Sequence, residues 1–363
     1  MKNILLPLGI SFFTFQQIMY VVSVYRGDIG RIDIVDYLVY ILYFPKLIMG
    51  PLCEPEDIIG QLNDATKKTF NIDNFACGIR LFSYGIFKKL ILADTFHRAV
   101  SWGFTNKDIL SAFDIIVLML SYTFEIYFDF SGYSDMAVGI SKMLNIDLPI
   151  NFDSPYKALS IRDFWKRWHI SLTGFLTKYI YIPLGGSKKG KGRTYLNTMV
   201  VFLISGIWHG TNWTFILWGV FHGLLSVLER IINIPKKKGT IIIKWFLTFV
   251  IINILWLLFR ADSVAEWWEL LSRVILINGA GISDGMINAF VLPEIQAVIS
   301  SDTLRRFSIM TFVSVSALIC LVPENNYKTM NKKTAINMFL AAAAFVWSFL
   351  CLSSESVFVY FNF

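Results

Sequence analysis

Residues 161–186, IRDFWKRWHISLTGFLTKYIYIPLGG, and residues 200–230, VVFLISGIWHGTNWTFILWGVFHGLLSVLER, decide how this chain reads. They hold His169, His209 and His222, three of its four histidines, among aromatic and apolar residues. No Asp, Glu, Lys or Arg interrupts residues 194–228. A membrane span needs about 20 apolar residues, so this run reads as membrane. His209 is then a titratable group at or near bilayer depth, where such groups are costly and face a cavity or a partner. Gly206, Gly210 and Asn212 disfavour one continuous helix across the run. Basic residues flank it on both sides, so two helices turning back to the cytoplasm satisfy the positive-inside rule better than one crossing.

The composition agrees. Of 363 residues, 55% are hydrophobic and only 16% charged, and mean hydropathy is +0.56. A soluble chain carries about a quarter charged residues. The net charge of +7 does not indicate nucleic acid. Its lysines and arginines fall in short clusters between apolar runs, at Lys67-Lys68, Lys88-Lys89, residues 188–193, 236–238 and Lys332-Lys333. The four cysteines have no metal or redox spacing.

Further spans are expected at residues 3–25, 36–51, 109–128, 241–259, 307–322 and 335–352. Pro7, Gly9 and Pro45 suggest broken or re-entrant entries to the first two. Residues 75–93 read as an interfacial helix or as a helix end whose Lys88 and Lys89 snorkel to headgroups. Glu125, Asp129 and Asp135 follow in FEIYFDFSGYSD, either at the water interface or in a functional polar cavity. His97, beside Arg98, reads as a surface residue. Residues 158–180 read as one amphipathic helix, with Trp165 and Trp168 on its apolar face and His169 at the margin. The loop SKKGKGR, residues 187–193, lacks P-loop spacing. It is a cytoplasmic anchor or, through Lys188, Lys191 and Arg193, an attractor of an anionic donor such as a phosphopantetheine thioester. With the lysine clusters inside, the C-terminal tail ends outside. His222, about 13 residues past His209, points away from it on an ideal helix and is expected to hydrogen-bond in the core.

At FWKRWHISL and SGIWHGTNWTFILWGVFHG the chain resembles the membrane-bound O-acyltransferase family, in its bacterial branch of alginate O-acetylation and teichoic-acid D-alanyl transfer proteins. PLGISFFTFQ (from Pro7), FDFSGYSDMAVGIS (from Phe128), YIPLGGSKKGKGRTYLN (from Tyr181) and the closing VYFNF resemble it too. The IPLGG and KGKGR pair is more similar to the polysaccharide O-acetylation proteins. The resemblance implies an all-α polytopic membrane protein, a bundle of tilted transmembrane and re-entrant helices around a central cavity. It implies one integral-membrane domain over residues 1–363 with its motif core at 128–230. Family members start several helices before PLGISFFTFQ, so the chain is expected to lack those helices.

By the same resemblance His209 and His169 are the catalytic candidates. Trp165, Trp168, Asp129, Asp135, Asn212, Lys188, Lys191 and Arg193 are candidates for binding donor or substrate. Moving an acyl group from thioester to hydroxyl needs a base near neutral pH, which histidine supplies, unless the imidazole itself carries the acyl group. The expected activity relays an acyl group, acetyl first, from a cytoplasmic thioester to hydroxyls of an extracytoplasmic polysaccharide, in a bacterial cytoplasmic membrane. The donor is acetyl-CoA or an acyl carrier protein, with no metal and no bound cofactor. The partners are the bilayer and an extracytoplasmic glycan-modifying acyltransferase, with no nucleic acid. D-alanyl transfer to teichoic acid is the alternative within the family. A transporter relaying protons through buried histidines and carboxylates, or an inactive remnant, are the alternatives outside it.

Overall fold

The computed structural model describes residues 9–30, 32–232, 238–295, 301–330 and 334–352. Pro7, the lysines at 236–237, the Lys332 pair and the closing VYFNF, with the expected external C-terminus, lie outside the described residues. No strand occurs among the described residues. The α-helices are α1 (Ile10–Arg26), α2 (Ile34–Leu42), α3 (Pro55–Asn63), α4 (Ile72–Phe87), α5 (Asp94–Thr105), α6 (Ala112–Met143), α7 (Ile161–Trp165) and α8 (Ile170–Leu176). Then follow α9 (Gly190–His209), α10 (Trp213–Ile232), α11 (Ile241–Arg260), α12 (Val264–Ile275), α13 (Asp284–Ala289), α14 (Asp302–Leu321), α15 (Asn326–Thr329) and α16 (Ala335–Leu350). Among the described residues three helices are long and apolar enough to cross a membrane, at Trp213–Ile232, Ile241–Arg260 and Thr303–Leu321. Leu224, Leu228, Ile242, Phe246 and Leu247 lie exposed on the first two. Apolar exposure on that scale belongs against lipid. The protein is membrane-bound.

The chain packs as two compact units, with α6 contributing residues to each. One draws on the described residues within 9–89, 129–151 and 324–352. Here glycines let α4 and the second half of α6 touch backbone to backbone. A Cβ on Gly85 would lie 2.7 Å from the Gly132 carbonyl, and one on Gly78 would lie 2.4 Å from that of Gly139. Small residues at a membrane helix contact gain van der Waals packing in this way. The close approach carries two ion pairs, Lys88 Nζ to Asp135 at 2.7 Å and Lys89 Nζ to Asp129 at 2.7 Å. Lys88 opens a π-helical turn, Lys88–Ala93, at the end of α4. Lys89, Asp129 and Asp135 are buried. The expected snorkelling helix end is therefore corrected: both lysines turn inward, because a buried carboxylate needs a cation more than the headgroups do.

The other unit draws on the described residues within 90–128 and 152–323. Its centre is the α9–α10 hairpin, which turns back at residues 210–212 as the glycine-flanked break predicts. Gly206 and Gly219 seat it: their Cβ atoms would lie 2.5 Å from the Phe215 carbonyl and 2.4 Å from the Phe202 carbonyl. Gly223 faces Met199, so the two helices run antiparallel. His97 is about one third exposed, as its surface reading expects, but it is also engaged. Its Nδ1 lies 2.7 Å from Glu125, whose carboxylate is buried. The imidazole supplies the polar partner that a membrane-depth carboxylate requires.

Candidate functional site

The expected amphipathic helix over residues 158–180 is broken. Helix α7 stops at Trp165, residues 166–169 leave the helix, and α8 starts at Ile170. His169 is the residue before α8 and sits in the left-handed region, φ 44° and ψ 54°. For a non-glycine residue that conformation costs about 1–2 kcal/mol. Such strain persists where the surroundings over-determine it, and it clusters at functional sites. Far from lying at the margin of an apolar face, His169 is 3% exposed. The start of the segment is held by Glu229 of α10, which accepts hydrogen bonds from the Ile161 N–H at 2.6 Å and the Arg162 N–H at 3.0 Å. One carboxylate thereby answers two of the donors that a helix N-terminus leaves open.

His209 is the last residue of α9 and is half-buried. Its ring is surrounded by aromatics: centroids lie 4.6 Å away for Trp208, 5.4 Å for Trp218 and 4.9 Å for Phe259. His169 and His209 are close enough to interact electrostatically, although 40 residues separate them in sequence. The same aromatic cluster runs on through Trp218, stacked 5.9 Å from Trp256, to Trp168, 5.0 Å from Trp256. Trp218 is fully buried, and its Nε1 has no hydrogen-bond partner among the described residues. His222 accepts at Nδ1 from the Trp165 Nε1–H at 3.1 Å, a core role that its spacing from His209 anticipates.

The remaining candidates divide. Trp165 and Trp168 belong to this cluster. Asn212 does not: it is exposed, and its Nδ2 donates to the Asp262 carbonyl at 2.8 Å, tying the hairpin turn to the residues after α11. Asp129 and Asp135 are engaged by Lys89 and Lys88, and Asn326 also donates to Asp135 at 3.1 Å. Both carboxylates are thus held in ion pairs within the fold. Lys188, Lys191 and Arg193 are exposed at the start of α9. A helix of 20 residues is ~30 Å long, so they lie at the opposite end from His209. Arg193 donates to the Leu184 carbonyl at 3.2 Å, and Asn197 Nδ2 donates to the Gly186 carbonyl at 3.0 Å. These bonds pin the turn in which Gly185 and Gly186 take φ values of 100° and 53°.

A cavity of about 280 Å³ lies between α8, α9 and α10, lined by neither His209 nor the basic residues at the start of α9. Thr198, Phe202 and Ser205 of α9 line it on one side, Ser226 and Arg230 of α10 on another, and Trp165 closes it. Ser226 and Arg230 were missed in the sequence. The signal was present: Trp218, His222, Ser226 and Arg230 recur every fourth residue on one face of α10.

Comparison with known proteins agrees with the motifs. The family model described as "MBOAT, membrane-bound O-acyltransferase family" matches residues 2–233. A peptidoglycan O-acetyltransferase of Helicobacter pylori is 35% identical, over 99% of this chain and 75% of its own length. A probable alginate O-acetylase of Azotobacter vinelandii is 38% identical, over 78% of this chain and 56% of its own. A teichoic acid D-alanyltransferase of Streptococcus thermophilus is 26% identical, over 74% of this chain and 71% of its own. The chain thus spans three quarters of the first relative and little more than half of the second.

Proposed function

The chain belongs to the membrane-bound O-acyltransferase family, and on that premise we propose that it transfers an acetyl group from a thioester to a hydroxyl of an extracytoplasmic polysaccharide. It does so as a multi-pass protein of a bacterial cytoplasmic membrane. The observation that carries this reading is that His209, ringed by aromatics, and His169, on a strained backbone, are brought near each other by separate segments. His209 acts as base, because it is half-buried at a helix end where an acceptor hydroxyl can reach it, whereas His169 is enclosed. His209 takes the hydroxyl proton as the alkoxide oxygen bonds to the thioester carbonyl carbon. The carbon–sulfur bond then breaks, and the proton passes to the departing thiolate, leaving an ester and a thiol. His169 orients the base or the substrate.

The donor is acetyl-CoA or an acetylated carrier protein. An extracytoplasmic glycan-modifying acyltransferase completes the delivery, since the described residues form no soluble domain able to hold a long glycan. The names of the H. pylori and A. vinelandii relatives favour acetyl over D-alanyl, as does the lower identity to the D-alanyl relative. Membranes containing the protein are supplied with carboxyl-labelled acetyl thioester and a polysaccharide acceptor, and alkali-labile label on the glycan is measured. Acetyl ester formation is expected. Label appearing only when D-alanyl thioester replaces acetyl would move the protein to the other branch.

A further inference from the structure

A second cavity, of about 700 Å³, lies between α4 and α16, and no histidine is among the described residues that line it. Its volume is within the roughly 300–1,000 Å³ of small-molecule sites. One wall is α16, on which Met338, Phe339, Phe345, Val346 and Phe349 are all exposed. In a membrane-bound chain the bilayer covers apolar exposure of that kind. Met338 and Phe345 also line the cavity, so it opens on lipid along that flank. The α4 wall brings Ile79, 46% exposed, together with two charges, Asp73 and Arg80. Arg80 is buried, and its Nη2 donates to the Thr329 carbonyl at 2.9 Å. A guanidinium carries five N–H donors in a planar fork, enough to hold that carbonyl and a phosphate together. An ionisable group among lipid-facing helices is costly and faces a cavity or a partner.

The order of these groups identifies the ligand. Asp73 is exposed in the first turn of α4, a place the helix dipole favours for a carboxylate whatever else it does. It also lies two turns before Arg80 on the same face, ~10 Å along the axis. Side chains on a helix lean toward its N-terminus, and a long one thereby shortens the gap to Asp73. The Asp73 end of α4 follows the Lys67-Lys68 cluster, and Lys67 pairs with Asp147, just past α6, at 2.6 Å. By the positive-inside rule that end is cytoplasmic. From the water inward the cavity therefore presents a carboxylate, a guanidinium and apolar walls. A phospholipid headed by a primary amine presents an ammonium, then a phosphate about four bonds or ~5 Å deeper, then acyl chains. An anionic headgroup would bring its phosphate to Arg80 but nothing to Asp73, and a bare hydrocarbon would use neither charge. We infer that this cavity binds phosphatidylethanolamine of the cytoplasmic leaflet, with its phosphate on Arg80, its ammonium on Asp73 and one acyl chain between α4 and α16.

The test is native mass spectrometry of the full chain, stripped of lipid and titrated in detergent with dioleoyl phosphatidylethanolamine, phosphatidylglycerol or phosphatidylcholine. For the first lipid bound, the ethanolamine headgroup is expected to be held at least about tenfold tighter than the other two, the scale of one charge-assisted hydrogen bond. Asp73→Asn is expected to bring phosphatidylethanolamine down to the level of phosphatidylglycerol, and Arg80→Gln to weaken all three. Arg80 also holds the Thr329 carbonyl, so if Arg80→Gln does not fold, Ala342→Phe carries the test. Ala342 is exposed and lines the cavity, so a phenyl ring there fills the space of the acyl chain, and loss of the tightly held lipid is expected. Equal affinity for the three headgroups overturns the inference, as does tighter binding of phosphatidylglycerol, which would make this a site for anionic lipid. An unchanged headgroup preference in Asp73→Asn, or lipid still held tightly by Ala342→Phe, contradicts it as well. Failure to retain any of the three lipids would leave the cavity to another segment of protein and overturn the inference too.

Discussion

Two regions of this protein bury polar residues in apolar surroundings and use them differently. Along the second half of α6, Asp129 and Asp135 are matched by Lys89 and Lys88 at 2.7 Å each, over glycine contacts too close to admit a ligand. Along α10, Trp218, Ser226 and Arg230 leave an indole N–H, a hydroxyl and a guanidinium nitrogen without partners among the described residues. Burial alone therefore does not mark a site in a membrane protein. The first region pairs its charges internally and holds helices together, although Ser131 and Ser134 Oγ beside them also lack partners among the described residues, whereas the second leaves a cationic nitrogen open.

The largest effect expected from this contrast is at Lys89. Removing one member of a buried ion pair strands the other, so Lys89→Ala should cost about 3–5 kcal/mol, while replacing both Lys89 and Asp129 by apolar residues of similar volume should cost much less. Thermal unfolding in detergent of the single and double variants measures this. A double variant as unstable as the single would mean the pair does more than neutralise itself.

A smaller loss is expected at His222. Its Nδ1 accepts from Trp165, so His222→Ala leaves that indole N–H open at a cost of about 1–3 kcal/mol. Stability should fall, with residual transfer tracking the folded fraction. A stable but inactive His222→Ala would place His222 in the chemistry instead.

Of this contrast the sequence showed one side better than the other. The α9–α10 hairpin was legible because a charge-free run broken by Gly206, Gly210 and Asn212 has few other solutions. His169 and His209 were legible as candidates because imidazole is costly in such surroundings. The break at residues 166–169 was not, since hydrophobic periodicity carries straight through it and nothing in His169 itself announces a left-handed backbone. The inward turn of Lys88 and Lys89 was hidden as well, because their partners lie about 40 residues downstream and meet them only through helix packing. The contact of His97 with Glu125 was hidden for the same reason, since Glu125 is supplied by another helix. Ser226 and Arg230 were visible as a four-residue stripe, but a serine and an arginine near a helix end carry no distinctive signal until a cavity lies between them.

The smallest effect is expected at Asp147, in the polar loop after α6. Burial would raise its carboxyl pKa, but hydrogen bonds and charge from Lys142 and Lys67 outweigh that and hold it below the ordinary carboxylate value. A depressed folded-state pKa contributes stability that is present above the unfolded-state value and is lost as pH falls through the folded-state value. The carboxylate is half exposed, so screening limits the pair to about 0–1 kcal/mol. Unfolding midpoints from pH 7 down to pH 3 should fall slightly less for Asp147→Asn than for the unaltered protein. An equal or steeper fall would show that the pair contributes nothing.

The central claim is that His209 moves a proton during acyl transfer, and His209→Gln measures it most directly, because glutamine keeps a hydrogen-bond donor but cannot take up a catalytic proton. Transfer from acetyl thioester should fall by at least about 100-fold, the scale of losing a general base, while the unfolding temperature and insertion in the membrane stay those of the unaltered protein. A stable His209→Gln protein with full transfer activity would contradict the claim and leave His209 a structural residue at the end of α9.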